Sequence, residues 1–403
     1  MGEQLQGMLR KVTLDAIAPI NFSEQRELLH YCLDRDLNLH DELAERNLCY
    51  DDLCYRYNPE VATTSNRDRP FSPVPFHGIP VVSFFSGAGG LDLGFEMAGF
   101  EHLACLEINP TFCQTLSKNR PDWKVYDRDI CHREATLTLL QETIGIQAPF
   151  EGIFIGGPPC QPFSLAANQR FSKQGENFKR VGFDRADLGN LLFDFIFYIQ
   201  YLQPRAFLIE NVTGLKTIDG GKQLTIALNS LADSGYAIAP PTVLNAAEFG
   251  IPQQRERLFV VGFRGTKSFQ FPSRDRDRIP CYNALTRSLD GVANHITRKH
   301  KAASILRYAE LKYGERDRLG RVDRLHPNLP SKTIIAGGSL GGGRSHLHPV
   351  VPRTLSVRES ARLQTFPDEF VFCGSVARQF TQVGNAVPPL LAAKLASEIY
   401  RQY

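Results

Sequence analysis

From residue 81 onward, short apolar runs alternate with segments of helical pattern, and this alternation most limits what the chain can fold into. The apolar runs predict strands at 81–85, 102–107, 124–126, 152–155, 206–209, 236–244 and 258–263. Segments between them, such as 191–202 and 222–234, predict helices. Strands that alternate with helices are typical of an α/β fold, in which helices cover both faces of a mostly parallel sheet.

The flanking segments have a different character. Residues 1–78 begin with helical patterns and end in a polar, proline-containing stretch typical of a linker, so they predict an N-terminal helical extension. Residues 264–377 follow the predicted α/β domain at 79–263 and begin with an irregular, turn-rich block, which predicts a smaller domain. The last segment, 378–403, ends in an amphipathic helix.

Charge is distributed unevenly along the chain. The net charge is +3, but residues 264–332 carry 16 lysines and arginines against seven acids, a net +9 that leaves −6 for the remainder. A basic module attached to an acidic one indicates a polyanionic partner. A solvated surface with interspersed ion pairs would have the same composition, so charge alone does not decide between the two.

Cysteine usage and hydropathy indicate the compartment. Nine cysteines are scattered without a CxxC pair, which predicts reduced thiols in a cytoplasm. Cys49 and Cys54 lack the second pair that a zinc site needs, so we predict no metal site. The chain has neither an apolar run of about 18 residues nor a secretory signal, so we expect no membrane span.

The stretch VVSFFSGAGGLDLGF at 81–95 reads as a strand, a glycine-rich turn and a helix. Its glycines let the backbone approach a ligand at the carboxyl edge of the sheet. Glu107 ends the next strand, where an acid can bind ribose hydroxyls, and Asp129 follows the third, where an acid can bind an adenine amino group. An adenosine-containing cofactor is predicted, with a pyrophosphate or a sulfonium equally compatible. The alternative is a plain helix start with two surface acids.

The stretch GGPPCQPFS at 156–164 places Cys160 between prolines, directly after the fourth strand. Stiff backbone fixes the approach angle of a nucleophile, which a buried or disulfide-bonded cysteine does not need. Glu210 ends the next strand, and Arg255 and Arg257 precede a later one, so all four should meet at one sheet edge. Together they predict attack on an electron-poor ring carbon, with the developing charge stabilised. Taken singly, a buried thiol, a salt bridge and a surface pair remain possible.

Six motifs in this order resemble those of the cytosine-5 DNA methyltransferases over about residues 79–403. The motifs are SFFSGAGGLDLGF, GGPPCQPFS, IENV, IPQQRER, RTLSVRESARLQTFPDEF and QVGNAVPP. The resemblance implies an enzyme of the prokaryotic restriction–modification type that depends on S-adenosyl-L-methionine. It also implies a Rossmann-like catalytic domain at 79–263, a target-recognition domain at 264–377 and a last segment, 378–403, that returns to the catalytic domain.

The resemblance further implies roles for individual residues. Cys160 would add to carbon 6 of a flipped-out cytosine, Glu210 would contact and protonate ring nitrogen 3, and Arg255 and Arg257 would contact the base and the backbone. The cofactor pocket would comprise Phe85, Gly87, Gly89, Glu107, Asp129, Ile130, Pro159, Leu191, Asn385 and Val387. Residues 165–189 resemble the family's mobile loop, with an ordinary solvated loop as the alternative.

We expect double-stranded DNA as the partner, a separate cognate restriction endonuclease, a monomer, and a bacterial cytoplasmic location. A tRNA methyltransferase of the same chemistry remains an alternative, because that branch shares the fold. A binding module without activity, or a Rossmann dehydrogenase, would leave Cys160, Glu210 and the arginines unexplained. The arginines of 264–332 can bind guanine edges or phosphates, so the recognised sequence and the role of 1–78 stay open.

Overall fold

The computed structural model describes residues 20–58, 74–159, 191–275, 277–336 and 346–403. Cys160 and the predicted loop 165–189 therefore lie outside the described residues. The described residues form two compact units. The sheet unit contains 74–159, 191–249, 255–275 and 386–403, and the second unit contains 20–58, 250–254, 277–336 and 346–385.

The secondary structure follows the predicted alternation. In chain order the strands are β1 Pro80–Phe84, β2 Glu101–Glu107, β3 Val125–Asp127, β4 Ile153–Gly156, β5 Ala206–Asn211, β6 Tyr236–Ile238, β7 Thr242–Asn245, β8 Glu256–Arg264, β9 Arg316–Asp317, β10 Val322–Arg324 and β11 His346–Leu347. The helices are α1 Phe22–Asp34, α2 Leu39–Glu45, α3 Gly90–Met97, α4 Pro110–Asn119, α5 Arg133–Thr138, α6 Leu191–Leu202, α7 Lys222–Asp233, α8 Cys281–Leu285, α9 Ala302–Ala309, α10 Val357–Leu363, α11 Val376–Asn385 and α12 Pro389–Gln402. No helix in this part of the chain is long and apolar enough to cross a membrane.

The sheet unit is built on one mixed sheet with the strand order β3-β2-β1-β4-β5-β8-β6, and β7 pairs with β8. Strands β1 to β5 are parallel, whereas β8 runs antiparallel to β5, β6 and β7. The predicted α/β class with a mostly parallel sheet is confirmed. The single strand predicted at 236–244 is wrong, because Pro240 and Pro241 lack the N–H groups that a continuous ladder needs.

Helix α6 covers the centre of this sheet. Every residue of β4 and β5 is buried, as expected for parallel strands covered on both faces. Phe195 of α6 packs its ring 4.8 Å from that of Phe84, and Tyr198 lies 5.4 Å from the same ring. This aromatic contact holds the carboxyl end of β1, where the glycine turn begins.

The C-terminal helix α12 packs closely on α3, the helix that follows the glycine turn. A Cβ atom on Gly94 would lie 2.3 Å from Cβ of Ala392 and 2.5 Å from the backbone nitrogen of Ala393. Near the other end of α12, the rings of His77 and Tyr400 stack with their centroids 4.0 Å apart. The last helix of the chain therefore lies against the start of the sheet.

In the second unit, the N-terminal helices share an apolar core with residues about 250 positions away. Leu29, Leu43 and Tyr50 are buried in one cluster with Ile305 and Leu347. The compact units therefore do not follow the segments predicted from sequence, because the second unit combines residues of 1–78 with residues of 264–377. Two short amphipathic helices bury too little apolar surface alone, so they complete their core with the distant segment.

A buried ion pair strengthens this unit. Both guanidinium Nη atoms of Arg353 lie 2.8 Å from the Glu359 carboxylate, and Arg353 also pairs with Asp51. Burial alone would raise the pKa of Glu359, but Arg353 holds it well below its usual range. Because a buried charge is costly without its partner, Arg353 and Glu359 depend on each other, and the Asp51–Arg353 contact ties the N-terminal segment to this pair.

Gly94→Ala should lower the free energy of unfolding by about 1–3 kcal/mol, because the added methyl group overpacks the α3–α12 contact. In an ordinary helix interior the same change stabilises by about 0.5–1 kcal/mol, so the sign is diagnostic. Urea unfolding followed by circular dichroism measures it. Ser117→Ala, on the exposed face of α4, is the control and should leave stability nearly unchanged. A stabilised Gly94→Ala protein would contradict the packing.

Glu359→Gln should cost about 3 kcal/mol of unfolding free energy at neutral pH, because it breaks a buried pair. Since folding lowers the pKa of Glu359, this contribution is present above the unfolded-state pKa of about 4.3 and is lost as the pH falls through the folded-state value. The difference between wild type and variant should therefore shrink in acid. Glu310→Gln breaks only an exposed pair with Arg56 and should cost about 0–1 kcal/mol. Equal losses in the two variants would argue against the buried pair.

Candidate cofactor and catalytic site

The glycine turn between β1 and α3 has three residues in the left-handed region: Phe85 (φ 55°), Gly87 (φ 58°) and Gly89 (φ 78°). Among the described residues, a Cβ on Gly87 would meet only the Phe85 carbonyl oxygen, at 3.9 Å, so these residues leave one side of the turn open. A Cβ on Gly89 would lie 2.7 Å from Cδ2 of Leu116, so this glycine is needed for packing on α4. The turn thus presents bare backbone on a rigid base.

Glu107 joins the ends of β1 and β2. Its carboxylate accepts hydrogen bonds from the backbone N–H groups of Gly87 and Asn109, each at 2.8 Å. Burial raises its pKa, and these hydrogen bonds oppose that shift. Among the described residues no cation pairs with it. The predicted ribose-binding acid therefore lies directly beside the predicted turn.

Ile108 is a residue of this edge that the sequence analysis missed. Its side chain is 58% exposed, although it directly follows the buried Glu107. An apolar side chain held in solvent beside a polar acceptor is suited to cover the flat face of a ligand. The available signal was an isoleucine at the first position after a strand-ending acid.

The other predicted cofactor residues lie around the same edge or outside it. Asp129 is partly exposed and accepts a hydrogen bond from the N–H of Cys131 at 2.9 Å, while Ile130 is buried and accepts one from the Tyr198 hydroxyl. Val387 approaches the turn, because a Cβ on Gly90 would lie 2.2 Å from its carbonyl oxygen. Pro159 is exposed and is the last described residue before Cys160. Leu191 is buried at the start of α6. Asn385 is exposed at the end of α11, in the second unit.

An ion pair joins Glu210, near the carboxyl end of β5, to Arg257, near the start of β8. Nε of Arg257 lies 3.0 Å from Oε1 of Glu210, and both side chains are largely buried. In the antiparallel register Glu210 faces Phe259, and Arg257, two residues earlier, shares that face. Burial raises the pKa of Glu210, and the two guanidiniums oppose the shift. The carboxyl is therefore closer to neutrality than an ordinary glutamate.

Arg255 is fully buried, so its guanidinium is not exposed to solvent. It is 1% exposed, and its backbone N–H donates to Oδ1 of Asn245 at 3.2 Å. Burial places its pKa well below the usual arginine range, and Arg257 adds to the shift. Its positive charge acts on Glu210, because it opposes the rise that burial causes in the pKa of that carboxyl.

The chain that leads to Cys160 passes next to Glu210. A Cβ on Gly157 would lie 3.0 Å from Oε2 of Glu210. Nδ2 of Asn211 donates to the Pro158 carbonyl oxygen at 3.3 Å, and its Oδ1 accepts from the N–H of Val212. Asn211 therefore fixes the start of the Pro-Pro-Cys segment, although Cys160 itself lies outside the described residues.

Comparison with known proteins shows the family of this chain. A family model described as C-5 cytosine-specific DNA methylase matches residues 79–401. Among curated relatives, the type II methyltransferase M1.HphI of Haemophilus parahaemolyticus is 34% identical over 346 residues, covering 79% of this chain and 86% of that protein. The type II methyltransferase M.PspPI of Psychrobacter sp. is 33% identical over 362 residues, covering 81% and 80%.

Solved structures share the fold. A prophage-encoded protein of Escherichia coli, described as a DNA modification methyltransferase, superposes with a TM-score of 0.61 at 25% identity, over 81% of this chain and 99% of that one. The methyltransferase EhMeth of Entamoeba histolytica has a TM-score of 0.58 at 17% identity over 80% and 98%, which shows the fold alone. Because this family model matches residues 79–401, the chain belongs to the C-5 cytosine-specific DNA methylase family.

Proposed function

We propose that this DNA methyltransferase transfers a methyl group from S-adenosylmethionine to carbon 5 of a flipped-out cytosine in double-stranded DNA, through a covalent adduct with Cys160. The observation that carries the proposal is the buried Glu210–Arg257 pair beside the segment that leads to Cys160. A base must leave the duplex because stacking hides the ring face that a nucleophile attacks.

The glycine turn fits the cofactor. The backbone at Gly87 is open to a ligand, and the Glu107 carboxylate can accept hydrogen bonds from ribose hydroxyls. Ile108 can cover the adenine, and Asp129 can accept a hydrogen bond from the adenine amino group. The other proposed pocket residues are Phe85, Gly89, Ile130, Pro159, Leu191, Asn385 and Val387. When bound, S-adenosylmethionine would supply an electrophilic methyl group on a sulfonium, and the sulfur would keep the electron pair of the broken carbon–sulfur bond as a neutral thioether.

Glu210 prepares the cytosine for attack. Its raised pKa makes protonation easier than in an ordinary glutamate, and the protonated carboxyl donates a hydrogen bond or a proton to ring nitrogen 3. Protonation there withdraws electrons from carbon 6. Arg257 holds the carboxyl in place, and Arg255 adds positive potential that offsets charge developing on the ring.

Cys160 makes the bond that activates carbon 5. The thiolate adds to carbon 6, and the electron pair of the carbon 5–carbon 6 double bond makes carbon 5 nucleophilic. After carbon 5 gains the methyl group, its proton leaves to a base, the sulfur–carbon 6 bond breaks, and the aromatic ring is restored. The stiff Pro158–Pro159 backbone, held by Asn211, sets the direction of the thiolate.

The biological setting follows from the relatives. Curated proteins with about a third of their residues identical are named type II methyltransferases, the protective half of restriction–modification systems. We therefore infer that the chain methylates one short sequence in bacterial DNA, as a cytoplasmic monomer, and protects that DNA from a separate cognate endonuclease.

Cys160→Ser should abolish methyl transfer, because a hydroxyl at neutral pH is far less nucleophilic than a thiolate. The measurement is transfer from labelled S-adenosylmethionine to mixed-sequence duplex DNA, with tRNA in parallel. A second readout is a denaturation-resistant complex with DNA that contains 5-fluorocytosine, since fluorine cannot leave carbon 5 as a proton does.

Glu210→Gln should lower the rate of methyl transfer by about 100- to 10,000-fold.

Cys49→Ser, which changes an exposed cysteine of the second unit, is the matched control and should keep full activity. Transfer by Cys160→Ser at the wild-type rate would refute the adduct. Transfer to tRNA in place of DNA would assign the chain to the RNA-directed branch.

Glu107→Gln should weaken S-adenosylmethionine binding about 10-fold with little change in kcat, because it loses a charge-assisted acceptor for the ribose. Trp123 is the single tryptophan, and its ring lies 3.8 Å from the position of a Cβ on Gly89. Its fluorescence therefore reports binding directly, without turnover. Glu101→Gln, exposed at the start of β2, is the control. Equal affinities for Glu107→Gln and wild type would exclude Glu107 from the ribose site.

A further inference from the structure

A short hairpin in the second unit carries basic side chains that the catalytic proposal does not use. Strands β9 and β10 pair antiparallel, with Asp317 opposite Val322, and the four residues between them form the turn. We call residues 318–321, Arg-Leu-Gly-Arg, the hairpin tip. Arg318 and Arg321 are exposed, and Leu319 is 78% exposed, the most of any large apolar side chain in the described part of the chain.

The base of the hairpin is rigid. The N–H of Gly320 donates to Oδ2 of Asp317 at 2.6 Å, and Arg307 of α9 holds the same carboxylate at 3.2 Å. A Cβ on Gly320 would lie 2.5 Å from Oδ2 of Asp317 and 2.9 Å from the hydroxyl oxygen of Tyr308. The tip is therefore packed against α9 and held in one conformation.

The acids of the hairpin are already neutralised. Asp317 pairs with Arg307, and Asp323 is shared by Arg316 at 3.4 Å and Lys332 at 3.1 Å. Among the residues that the structure describes, neither the Arg318 nor the Arg321 guanidinium has an ion-pair partner. The carboxylates at the base of the hairpin are thus paired with cations, and two positive charges remain at the hairpin tip.

An apolar side chain between two arginines favours base edges over phosphates. Phosphate binding needs only charge, and an exposed leucine gains nothing there. In the major groove, which admits a two-stranded ribbon, arginine binds guanine O6 and N7 bidentately, and an apolar group contacts the thymine methyl. Arginine on a rigid support loses little entropy in such a contact.

We infer that the hairpin tip reads the target sequence, with Arg318 and Arg321 each specifying a guanine and Leu319 contacting an adjacent base edge. The inference rests on the proposed function, because it assigns specificity within the same DNA methylation reaction. It selects two arginines from the 16 lysines and arginines of residues 264–332.

The test uses the full-length protein and a duplex library with randomised bases around cytosine. Wild type, Arg318→Gln and Arg321→Gln methylate the library, and bisulfite sequencing gives the relative rate for every sequence. We expect each variant to lose preference at one guanine position by about 5- to 100-fold and to keep it at the others. Because both side chains are exposed, the unfolding midpoints should match wild type.

Arg26→Gln is the matched control, since Arg26 is an exposed arginine of α1 in the same unit, beside Glu27 and Asp34. It should leave all preferences unchanged. A uniform fall in rate for every sequence, with a shallower salt dependence of DNA binding, would show phosphate contacts and overturn the inference. Unchanged preferences in both hairpin variants would also overturn it. If wild type methylates no member of the library, the proposed function itself fails.

Discussion

The site depends on the antiparallel pairing of β5 with β8. A carboxylate as deeply buried as that of Glu210 is costly in a low-dielectric interior unless a cation lies beside it. The reversed direction of β8 places Arg257 at the same sheet edge as Glu210, on the same face and within ion-pair distance. A parallel strand at that position would carry residues 255–257 to the opposite edge. The reversal in the sheet therefore brings a cation to the buried acid beside the segment that leads to the predicted nucleophile.

Two glutamates of this sheet edge are both buried with raised pKa values, yet they are stabilised differently. Glu107 is held by backbone N–H groups, which keep it an acceptor suited to hydroxyl groups. Glu210 is paired with the side-chain guanidinium of Arg257. Backbone donors make a fixed acceptor, whereas a side-chain pair can exchange partners. The same residue type therefore suits the two different roles proposed for Glu107 and Glu210.

Much of this was predictable because strand ends in a parallel sheet meet at one edge. The alternation of runs placed Glu107 and Glu210 at the ends of their strands and Asp129 after the third strand, and the structure agrees on these positions. The difference between Arg255 and Arg257 was not predictable, because two arginines of one motif look alike until the fold buries one. The core shared by Leu29 and Leu347 was also invisible, since no local signal links residues so far apart.

The stacking of His77 on Tyr400 brings the first and last parts of the sheet unit into contact. A unit whose first and last segments meet can be opened at another surface loop and closed across this contact, with the same packing retained. The spatial arrangement of the glycine turn, the acid and the arginines therefore does not require their order along the polypeptide. A permuted chain with the motifs in rotated order is therefore compatible with the same geometry.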